Sequence, residues 1–225
     1  MNIAILGRGK TGSHVANLCV QRNIPHEVFH SENKLTLEAL SEKDIIISFI
    51  PGPILLESLD LIIEGKTPII SGSTGAEFPE DLDQRLKDNN QVWVQGHNFA
   101  LGMIVVSRMI KALSQTTSLY ENNWEAKIHE IHHTKKLDAP SGTALRFKEW
   151  FGHEVDITSE RVGDVVGNHE ISFKTPFETL TMTHEAHTRA LFAHGALWGA
   201  KRVINNKCKP GFTWFEDLAQ QELNL

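Results

Sequence analysis

Residues that carry protons lie close together in one short stretch of the sequence. His132, His133 and Lys136 fall within five consecutive positions. Histidine titrates near neutral pH, and a lysine in a partly dry cleft can have its pKa lowered toward the working pH. Together these side chains can supply protons and positive charge to one anionic molecule.

The same stretch continues into a candidate anion site. Pro140 turns the chain into Ser141, Gly142 and Thr143, and residues 144–151 have the spacing of an amphipathic helix. A helix that begins in this way presents free backbone N–H groups and the positive end of its dipole, which together suit a carboxylate or a phosphate. Few purely structural loops need both halves of this combination.

A glycine-rich loop near the N-terminus predicts a second ligand site. Residues 2–6 are a short apolar run typical of a buried strand, residues 7–12 have the spacing Gly-x-Gly-x-x-Gly, and residues 13–22 have helical spacing. This order is the context of a dinucleotide-binding motif, whose glycines allow a tight turn, a close approach to the pyrophosphate and close helix–strand packing. The alternative is a glycine turn that binds no ligand.

The choice between NADH and NADPH stays open at this point. Dinucleotide-binding motifs usually have an acid at the end of the second strand, where it bonds to the adenosine ribose. Here the second strand is predicted at residues 26–30, and no residue directly after it is an unambiguous acid. Glu32 lies further along, while His30 and Lys34 are compatible with a 2′-phosphate.

Apolar strands alternate with helices up to residue 97. We predict strands at residues 44–50, 68–70 and 91–95, and helices at residues 55–63 and 78–89. This alternation predicts an α/β fold, with a parallel sheet of the Rossmann type, helices on both faces and ligands at the carboxyl ends of the strands. The loop at residues 71–75 lies at such an end, and it is either a contact to the nicotinamide side or a plain turn.

The pattern changes at residue 98. We expect a helix over residues 103–113 and strand-like segments at residues 124–131, 164–166, 170–174 and 178–184. These predict an inserted α+β substrate domain at residues 98–189, with a mostly antiparallel sheet. The dinucleotide-binding domain is predicted at residues 1–97, completed by residues 190–225, and helices are expected at residues 189–203 and 214–219.

Composition narrows the class of partner. A formal net charge of −6 argues against nucleic acid, whose binding usually requires a basic surplus. No apolar run approaches the ~20 residues that a membrane-spanning helix needs, and the N-terminus lacks the basic segment of a signal peptide. Cys19 and Cys208 form no CxxC pair, which fits a reducing compartment. We therefore expect a cytoplasmic protein that acts on a small molecule.

The run Glu-Ile-His-His-x-x-Lys-x-Asp-Ala-Pro-Ser-Gly-Thr-Ala at residues 130–144 resembles the signature of the 4-hydroxy-tetrahydrodipicolinate (dihydrodipicolinate) reductase family. The resemblance includes the glycine loop, the Gly-x-Thr-Gly loop at residues 72–75 and the segment at residues 183–197. It implies a reductase of lysine biosynthesis that delivers hydride from NADH or NADPH to an unsaturated cyclic dicarboxylate. It also implies a Rossmann-type domain and a substrate domain whose sheet mediates formation of a homotetramer.

The resemblance assigns roles to individual residues. His132 is the proton donor or acceptor and Lys136 the proton donor; our interpretation is that Lys136 is the main donor, while His132 polarises the substrate or relays a proton. The substrate carboxylate is bound by His133, Ser141, Gly142 and Thr143. The cofactor contacts carry over to Gly7, Arg8, Gly9, Lys10, Thr11, Gly12, Gly72, Ser73, Thr74, Gly96, His97, Asn98 and Phe99. The sequence departs from the family at Ser48, where an aspartate is usual, and at Thr11, where a methionine is common.

Other interpretations of these residues are a metal site, a different enzyme or a protein without turnover. His129, His132 and His133 could bind a metal, but the neighbouring lysines repel cations and no cysteine is near, so we predict no metal. Another two-domain NAD(P)-dependent oxidoreductase, such as an amino-acid dehydrogenase, is the second enzyme reading. A non-catalytic nucleotide sensor on this fold is the third. The proton-donating residues favour catalysis, because a sensor has no need of them.

Overall fold

The computed structural model of the protein describes residues 1–121, 123–205 and 208–223. The chain divides into two compact units. The first comprises Met1–Ala100 and Arg189–Leu225, and the second comprises Leu101–Thr188. The second unit is therefore an insertion in the first.

The first unit is built on a six-stranded sheet. Its strands are β1 (Ile3–Leu6), β2 (His26–Phe29), β3 (Ile45–Ser48), β4 (Ile69–Ser71), β5 (Val92–Gln95) and β10 (Gly211–Trp214). Its helices are α1 (Lys10–Gln21), α2 (Leu37–Ser41), α3 (Gly52–Glu57), α4 (Leu59–Glu64), α5 (Leu82–Asp88), α8 (Ala190–Ile204) and α9 (Phe215–Leu223). Alternating strands and helices of this kind produce a sheet covered on both faces.

The strand order of this sheet is β10-β5-β4-β3-β1-β2, and every neighbouring pair is parallel. In register, Ile3 of β1 lies opposite His26 of β2 on one side and Ile45 of β3 on the other. The order thus reverses beside β1, and such a switch point creates a crevice for ligands at the carboxyl ends of the strands. All residues of β1, β3, β4 and β5 are buried. The predicted α/β fold with a parallel sheet is confirmed.

Some details predicted for this unit are wrong. The single helix expected at residues 55–63 is two short helices, α3 and α4, which meet at Ser58. The apolar spacing continues across Ser58, so periodicity could not reveal the break. The helix expected at residues 78–89 is confined to α5, and the one expected at residues 214–219 begins at Phe215, after the unpredicted strand β10.

The second unit contains a four-stranded sheet and two long helices. Its elements are α6 (Gly102–Thr116), β6 (Glu125–His132), α7 (Gly142–Phe151), β7 (Asp156–Arg161), β8 (Gly167–Lys174) and β9 (Thr179–Ala186). The strand order is β7-β6-β8-β9. β6 pairs with β7 in parallel, whereas the β6–β8 and β8–β9 pairs are antiparallel. The sheet is therefore mixed, and the prediction of a mostly antiparallel sheet is confirmed only in part.

The prediction of a strand at residues 164–166 is wrong. Gly163 has φ +48°, and the Val165 N–H donates a hydrogen bond to the Val162 carbonyl at 3.3 Å, so this segment is a turn. The wrong prediction came from two adjacent valines, because valine has a high propensity for strands. The strand that does occur here, β7, is mostly polar and largely exposed, as an edge strand often is, and its sequence gave no apolar signal.

Alternation along β6 decides which side chains face the interior. Ile128, Glu130 and His132 are buried, whereas Lys127 is exposed and His129 only half-buried. Successive side chains of a strand point to opposite faces, so the even-numbered residues share the inner face. The buried rings of α7 lie over this sheet, since α7 contacts β6 and β8. Among the described helices, none has the length and apolarity that crossing a membrane requires.

Candidate active site

The glycine loop joins the carboxyl end of β1 to the start of α1. Gly7 has φ +103°, a conformation that favours glycine, and its N–H donates to the Phe29 carbonyl at 2.9 Å. A Cβ on Gly12 would lie 2.1 Å from the Gly7 carbonyl oxygen, so loop and helix pack too closely for any side chain there. A Cβ on Gly9 would meet no described heavy atom within 4 Å, so this position faces open space.

These features fit a dinucleotide. Among the described residues, α1 has no acid in its first turn and no side chain that caps its start. The N–H groups of that turn are therefore available to a negative group. The open side of Gly9 leaves the backbone accessible where a pyrophosphate would approach. Arg8 and Lys10 are exposed in the same loop and Thr11 is half-buried.

A buried polar chain connects the carboxyl ends of β3, β4 and β5. The Oγ atoms of Ser48 and Ser73 are 3.0 Å apart, and the Gln95 Nε2 donates to the Ser73 carbonyl at 2.9 Å. All three residues are buried. Ser48, at the position where the family usually has an aspartate, thus contributes a neutral hydrogen bond that ties the end of β3 to the predicted cofactor loop at residues 72–74.

Two of the glycines predicted to contact the cofactor are required by packing within the protein. A Cβ on Gly72 would lie 2.2 Å from the ring of Phe49, and one on Gly96 would lie 2.7 Å from the ring of Phe99. Their lack of a side chain is therefore explained by packing and carries no information about a ligand. Phe99 itself is buried, with its ring centroid 4.4 Å from that of Phe215.

Three further predicted cofactor residues differ in their surroundings. Thr74 and His97 are exposed, and the His97 ring stacks on Trp214 with centroids 4.9 Å apart. The Asn98 Oδ1 accepts a hydrogen bond from the Ala100 N–H at 2.8 Å. Because the strands are parallel, these loops follow the same edge of the sheet as the glycine loop.

The end of β2 bears an ion pair. Arg8 of the glycine loop lies 3.8 Å from the carboxylate of Glu32, and both side chains are well exposed. The Glu32 N–H donates to Nδ1 of His30 at 3.3 Å. Glu32 therefore comes nearer to the glycine loop than its position beyond β2 indicated.

In the second unit, Ser141 organises the start of α7. Its hydroxyl oxygen accepts a hydrogen bond from the Ala144 N–H at 3.2 Å, its N–H donates to Oε1 of Glu130 at 3.3 Å, and its carbonyl accepts from the Leu145 N–H at 3.1 Å. Every polar atom of Ser141 thus has a partner within the protein. A serine in this position is a favourable N-cap.

The Ser141 hydroxyl also contacts His169. Its oxygen lies 3.2 Å from His169 Nε2, and either group can donate this hydrogen bond, because a hydroxyl offers one donor and two acceptor lone pairs. Burial, with the nearby positive groups, lowers the pKa of His169 to about 3, which agrees with a neutral imidazole.

The centre of the second unit's polar cluster is the fully buried carboxylate of Glu130. It accepts hydrogen bonds from His132 Nδ1 and from Arg161 Nη2, the latter at 2.9 Å. Arg161 Nη2 also donates to the Asp138 carbonyl at 2.5 Å. Burial raises the pKa of Glu130, but hydrogen bonds from Arg161, Ser159 and His132 outweigh it and hold the pKa below its usual value.

His132 is buried in this cluster and does not lie on an open surface. Its ring packs edge-to-face on His169, with centroids 4.9 Å apart. Burial lowers the pKa of His132, and the hydrogen bond and charge of Glu130 oppose that effect only in part. The structure therefore brings the predicted His132 together with three residues that the sequence did not single out: Glu130, Arg161 and His169.

Lys136 is anchored within its own loop. Its Nζ donates to both carboxylate oxygens of Asp138, each at 2.8 Å. The hydrogen bond and charge of Lys136 lower the pKa of Asp138 below its usual value. The Lys136 N–H donates to the His133 carbonyl at 3.1 Å, so the backbone of this loop is also closed on itself.

Gly142 and Thr143 are the first two residues of α7, whose first turn contains no acid among the described residues. Gly142 is exposed and Thr143 is half-buried. The first N–H groups of a helix have no intrahelical partner, so these two positions offer donors to an anion. His133, half-buried at the start of the same loop, completes the set predicted to bind a carboxylate.

Glu130, His132 and His169 meet a distance criterion for a shared metal ion, with one polar atom of each within 4.8 Å of the others. The chemistry of the cluster argues against a bound metal ion. Both carboxylate oxygens of Glu130 already have partners, and one of those partners is the guanidinium of Arg161, which repels a cation. We therefore describe the cluster as a hydrogen-bonded ion-pair network.

The register of the sheet explains why Glu130, Arg161 and His169 were not identified from the sequence as neighbours of His132. Glu130 of β6 lies opposite His169 of β8, and His132 of β6 lies opposite Arg161 of β7. Arg161 is separated from Glu130 by 31 positions and lies on a strand without an apolar pattern. The alternation of residues 128–132 was the available signal, because it places Glu130 and His132 on one face.

These observations define a class of protein. A chain that forms a parallel sheet with a glycine loop at its switch point, and that is interrupted by a second unit with the His132, His133 and Lys136 segment, has the architecture of a two-unit dinucleotide-binding oxidoreductase.

Comparison with known proteins identifies the family within this class. A family model described as "Dihydrodipicolinate reductase, C-terminus" matches residues 102–218, more than half of the chain. The 4-hydroxy-tetrahydrodipicolinate reductase of Thermosipho africanus (strain TCF52B) is 38% identical over 128 residues, which are 57% of this chain and 56% of that protein. The enzyme of the same name from Alkaliphilus oremlandii (strain OhILAs) is 28% identical over 241 residues, covering 97% of this chain and 98% of that protein.

A solved structure has the same fold. The dipicolinate-bound dihydrodipicolinate reductase from Paenisporosarcina sp. TG-14 superposes with a TM-score of 0.74 at 22% identity, over 96% of this chain and 98% of that chain. The chain therefore belongs to the dihydrodipicolinate reductase family, and the resemblance inferred from residues 130–144 is confirmed.

Proposed function

We propose that the protein reduces 4-hydroxy-tetrahydrodipicolinate to tetrahydrodipicolinate, with NADH or NADPH as reductant, in the diaminopimelate route to lysine. As a member of its family the protein is an oxidoreductase that uses a nicotinamide dinucleotide. The observation that carries the proposal is the segment at residues 130–143, which combines a lysine that can donate a proton, a buried histidine and a helix start open to an anion.

The cofactor side of the proposal rests on the first unit. The backbone of Gly7, Gly9 and Gly12 with the start of α1 would hold the pyrophosphate, flanked by the exposed Arg8 and Lys10. The loops at residues 72–74 and 96–99 would border the nicotinamide. When bound, the reduced nicotinamide supplies the hydride.

The preference between the two cofactors is proposed to be weak. Glu32 can accept hydrogen bonds from a ribose diol, as NADH requires, and its partner Arg8 can pair with a 2′-phosphate, as NADPH requires. The two side chains are exposed and bonded to each other, so either ligand displaces one of them. His30 and Lys34 lie in the same segment and are compatible with a 2′-phosphate.

The substrate side of the proposal rests on the second unit. A substrate carboxylate would bind at the N–H groups of Gly142 and Thr143, with His133 as a further donor. After the 4-hydroxyl leaves as water to give the unsaturated ring, Lys136 would deliver a proton from Nζ to the carbon that becomes negative as hydride arrives. To do so it must exchange its present partner, Asp138, for the substrate. The Ser141 side chain would support this site through the helix cap.

We also propose the tetramer that the family resemblance implies. β9 is largely exposed, and Leu180 on it is 46% exposed, so this edge of the sheet carries apolar surface. Light scattering at micromolar concentration would give about four times the 25.3 kDa mass of the chain if the proposal holds. A monomeric mass would reject it.

One assay tests the proposed reaction. The purified protein is mixed with NADH or NADPH and with substrate generated by the preceding synthase, and loss of cofactor absorbance is followed. We expect synthase-dependent oxidation of at least one cofactor. No such oxidation of either cofactor would reject the proposal, and the ratio of the rates measures the preference.

The role of Lys136 is tested by comparison with its neighbour. Lys136→Ala should lower kcat by roughly 10²- to 10⁴-fold, because a general acid is lost. Lys135→Ala is the matched control, since Lys135 is exposed in the same loop, and its kcat should stay near that of the wild type. Equal activity of the two variants would contradict the assignment.

A non-catalytic nucleotide sensor is the second candidate. The irregular ribose-binding end of β2 is the observation that favours it, because the Arg8–Glu32 pair lacks the fixed acid of a typical dehydrogenase. A sensor would bind NADH or NADPH but would oxidise neither in the presence of substrate.

A further inference from the structure

The buried environment of Glu130 needs an explanation beyond folding. Its carboxylate is fully buried, and its partners include the His132 ring, the Arg161 guanidinium, the Ser159 side chain and the Ser141 N–H. Buried ion pairs commonly stabilise a fold less than apolar side chains of the same size would. A charge retained in such a place therefore suggests a role in the chemistry of a neighbour, and the neighbour here is His132.

The hydrogen bond between Glu130 and His132 fixes which nitrogen carries the proton. An ionised carboxylate can only accept, so Nδ1 of His132 must be protonated. The Arg161 guanidinium keeps Glu130 ionised from the other side. The second ring nitrogen, Nε2, is then the one that can accept or release a proton.

We propose that Glu130 is a positioning residue for His132, which holds the ring with its proton on Nδ1 and stabilises the imidazolium when Nε2 takes up a second proton. Arg161 serves the same purpose by keeping the carboxylate charged and by tying it to the Asp138 carbonyl in the loop that bears Lys136. The proposal rests on the proposed function and on our interpretation of the sequence that His132 polarises the substrate or relays a proton.

The charges around His132 make Glu130 decisive. The titratable groups that face it are Glu130 on its own strand, Arg161 on β7, His169 on β8 and Lys136 in the following loop. Burial, Lys136 and Arg161 all lower the pKa of His132, and Glu130 raises it. His169 is neutral above pH 3, as its lowered pKa requires. Without the Glu130 charge, every remaining influence disfavours the imidazolium.

The test is a titration of His132 by NMR on the full-length protein with ¹⁵N-labelled histidine, assigned by the signal that His132→Gln removes. In the wild type, the neutral ring should carry its proton on Nδ1. In Glu130→Gln, the titration midpoint should fall by about one to three pH units, the range for loss of a neighbouring opposite charge. The same variant should lose at least about tenfold in kcat, with little change in the KM for the cofactor.

Glu160→Gln is the matched control. Glu160 lies 3.6 Å from the His129 ring on the same strand pair, but its side chain is 56% exposed. Its removal should leave the His132 midpoint and kcat unchanged. A folded Glu130→Gln protein whose midpoint and kcat match those of this control would overturn the proposal.

The wild-type spectrum keeps the proposal testable even if Glu130→Gln does not fold. A neutral His132 with its proton on Nε2 would overturn it without any variant. The titration needs no substrate, so its result is independent of the proposed reaction. Failure of the wild type to oxidise NADH or NADPH would reject the reaction, whereas a normal kcat in Glu130→Gln would reject the positioning role alone.

Discussion

Replacing Ser141 with alanine would remove two hydrogen bonds from one buried atom. The first is the cap on the Ala144 N–H, whose loss typically costs about 1 kcal/mol of folding free energy. The second is the bond to His169 Nε2, which is left buried and unpaired at a cost of about 1–3 kcal/mol. Because Ser141 is only 1% exposed, water is not at hand to replace either bond.

The sum, about 2–4 kcal/mol, corresponds to a fall in Tm of roughly 5–15 °C for a chain of this size. Thermal denaturation followed by fluorescence or circular dichroism measures it. Thr36→Ala is the matched control, because Thr36 caps α2 through the Ala39 N–H at 3.1 Å on an exposed helix. That variant should lose the cap alone, roughly 2–4 °C. Equal losses in the two variants would refute the contribution of His169.

Two further predictions concern the glycine loop and the acid side of the stability curve. Gly12→Ala would place a Cβ 2.1 Å from a backbone carbonyl oxygen of the loop, so NADH affinity measured by titration calorimetry should fall at least about tenfold, roughly 1.4 kcal/mol. If binding survives in Gly12→Ala, the close packing of loop and helix is not needed for the cofactor. The pKa of His169 is about 3 when folded and about 6.5 when unfolded, so between these values only the unfolded chain takes up this proton. Its contribution to stability is complete above pH 6.5 and declines as the pH falls toward 3. Between these pH values, the slope of unfolding free energy against pH should be smaller in His169→Gln than in the wild type, by the amount that corresponds to about one proton. Equal slopes in the two proteins would contradict a buried, neutral His169.

The glycine loop between β1 and α1 was predictable because its signal is local. Gly7, Gly9 and Gly12 follow an apolar strand directly, and the structure gives two of them a steric reason to be glycine. The start of α7 was predictable in the same way, since Ser141 is a typical N-cap residue. Local propensity and spacing contain this information, and no distant part of the chain is needed.

The partners of His132 were not predictable because they depend on register. Arg161 reaches Glu130 only because the polar strand β7 pairs in parallel with β6, and neither that pairing nor its offset is written in the periodicity of residues 156–161. His169 lies opposite Glu130 because β8 pairs antiparallel with the same strand. The break at Ser58 was hidden for a related reason, because apolar spacing alone does not encode a local change in backbone angles.

The alternation along β6 has a consequence for which insertions and deletions this gene can tolerate. Both histidines of two similar histidine–carboxylate pairs lie on this strand, His132 with Glu130 inside and His129 with Glu160 of β7 outside. The two histidines differ only in having an even or an odd position along β6, which decides the face of the sheet on which each one lies. Loss of one codon within residues 125–129 would move the interior pair to the solvent side of the sheet. We therefore expect functional relatives to vary in length in the loops around this strand and to keep the strand itself free of single-residue gaps.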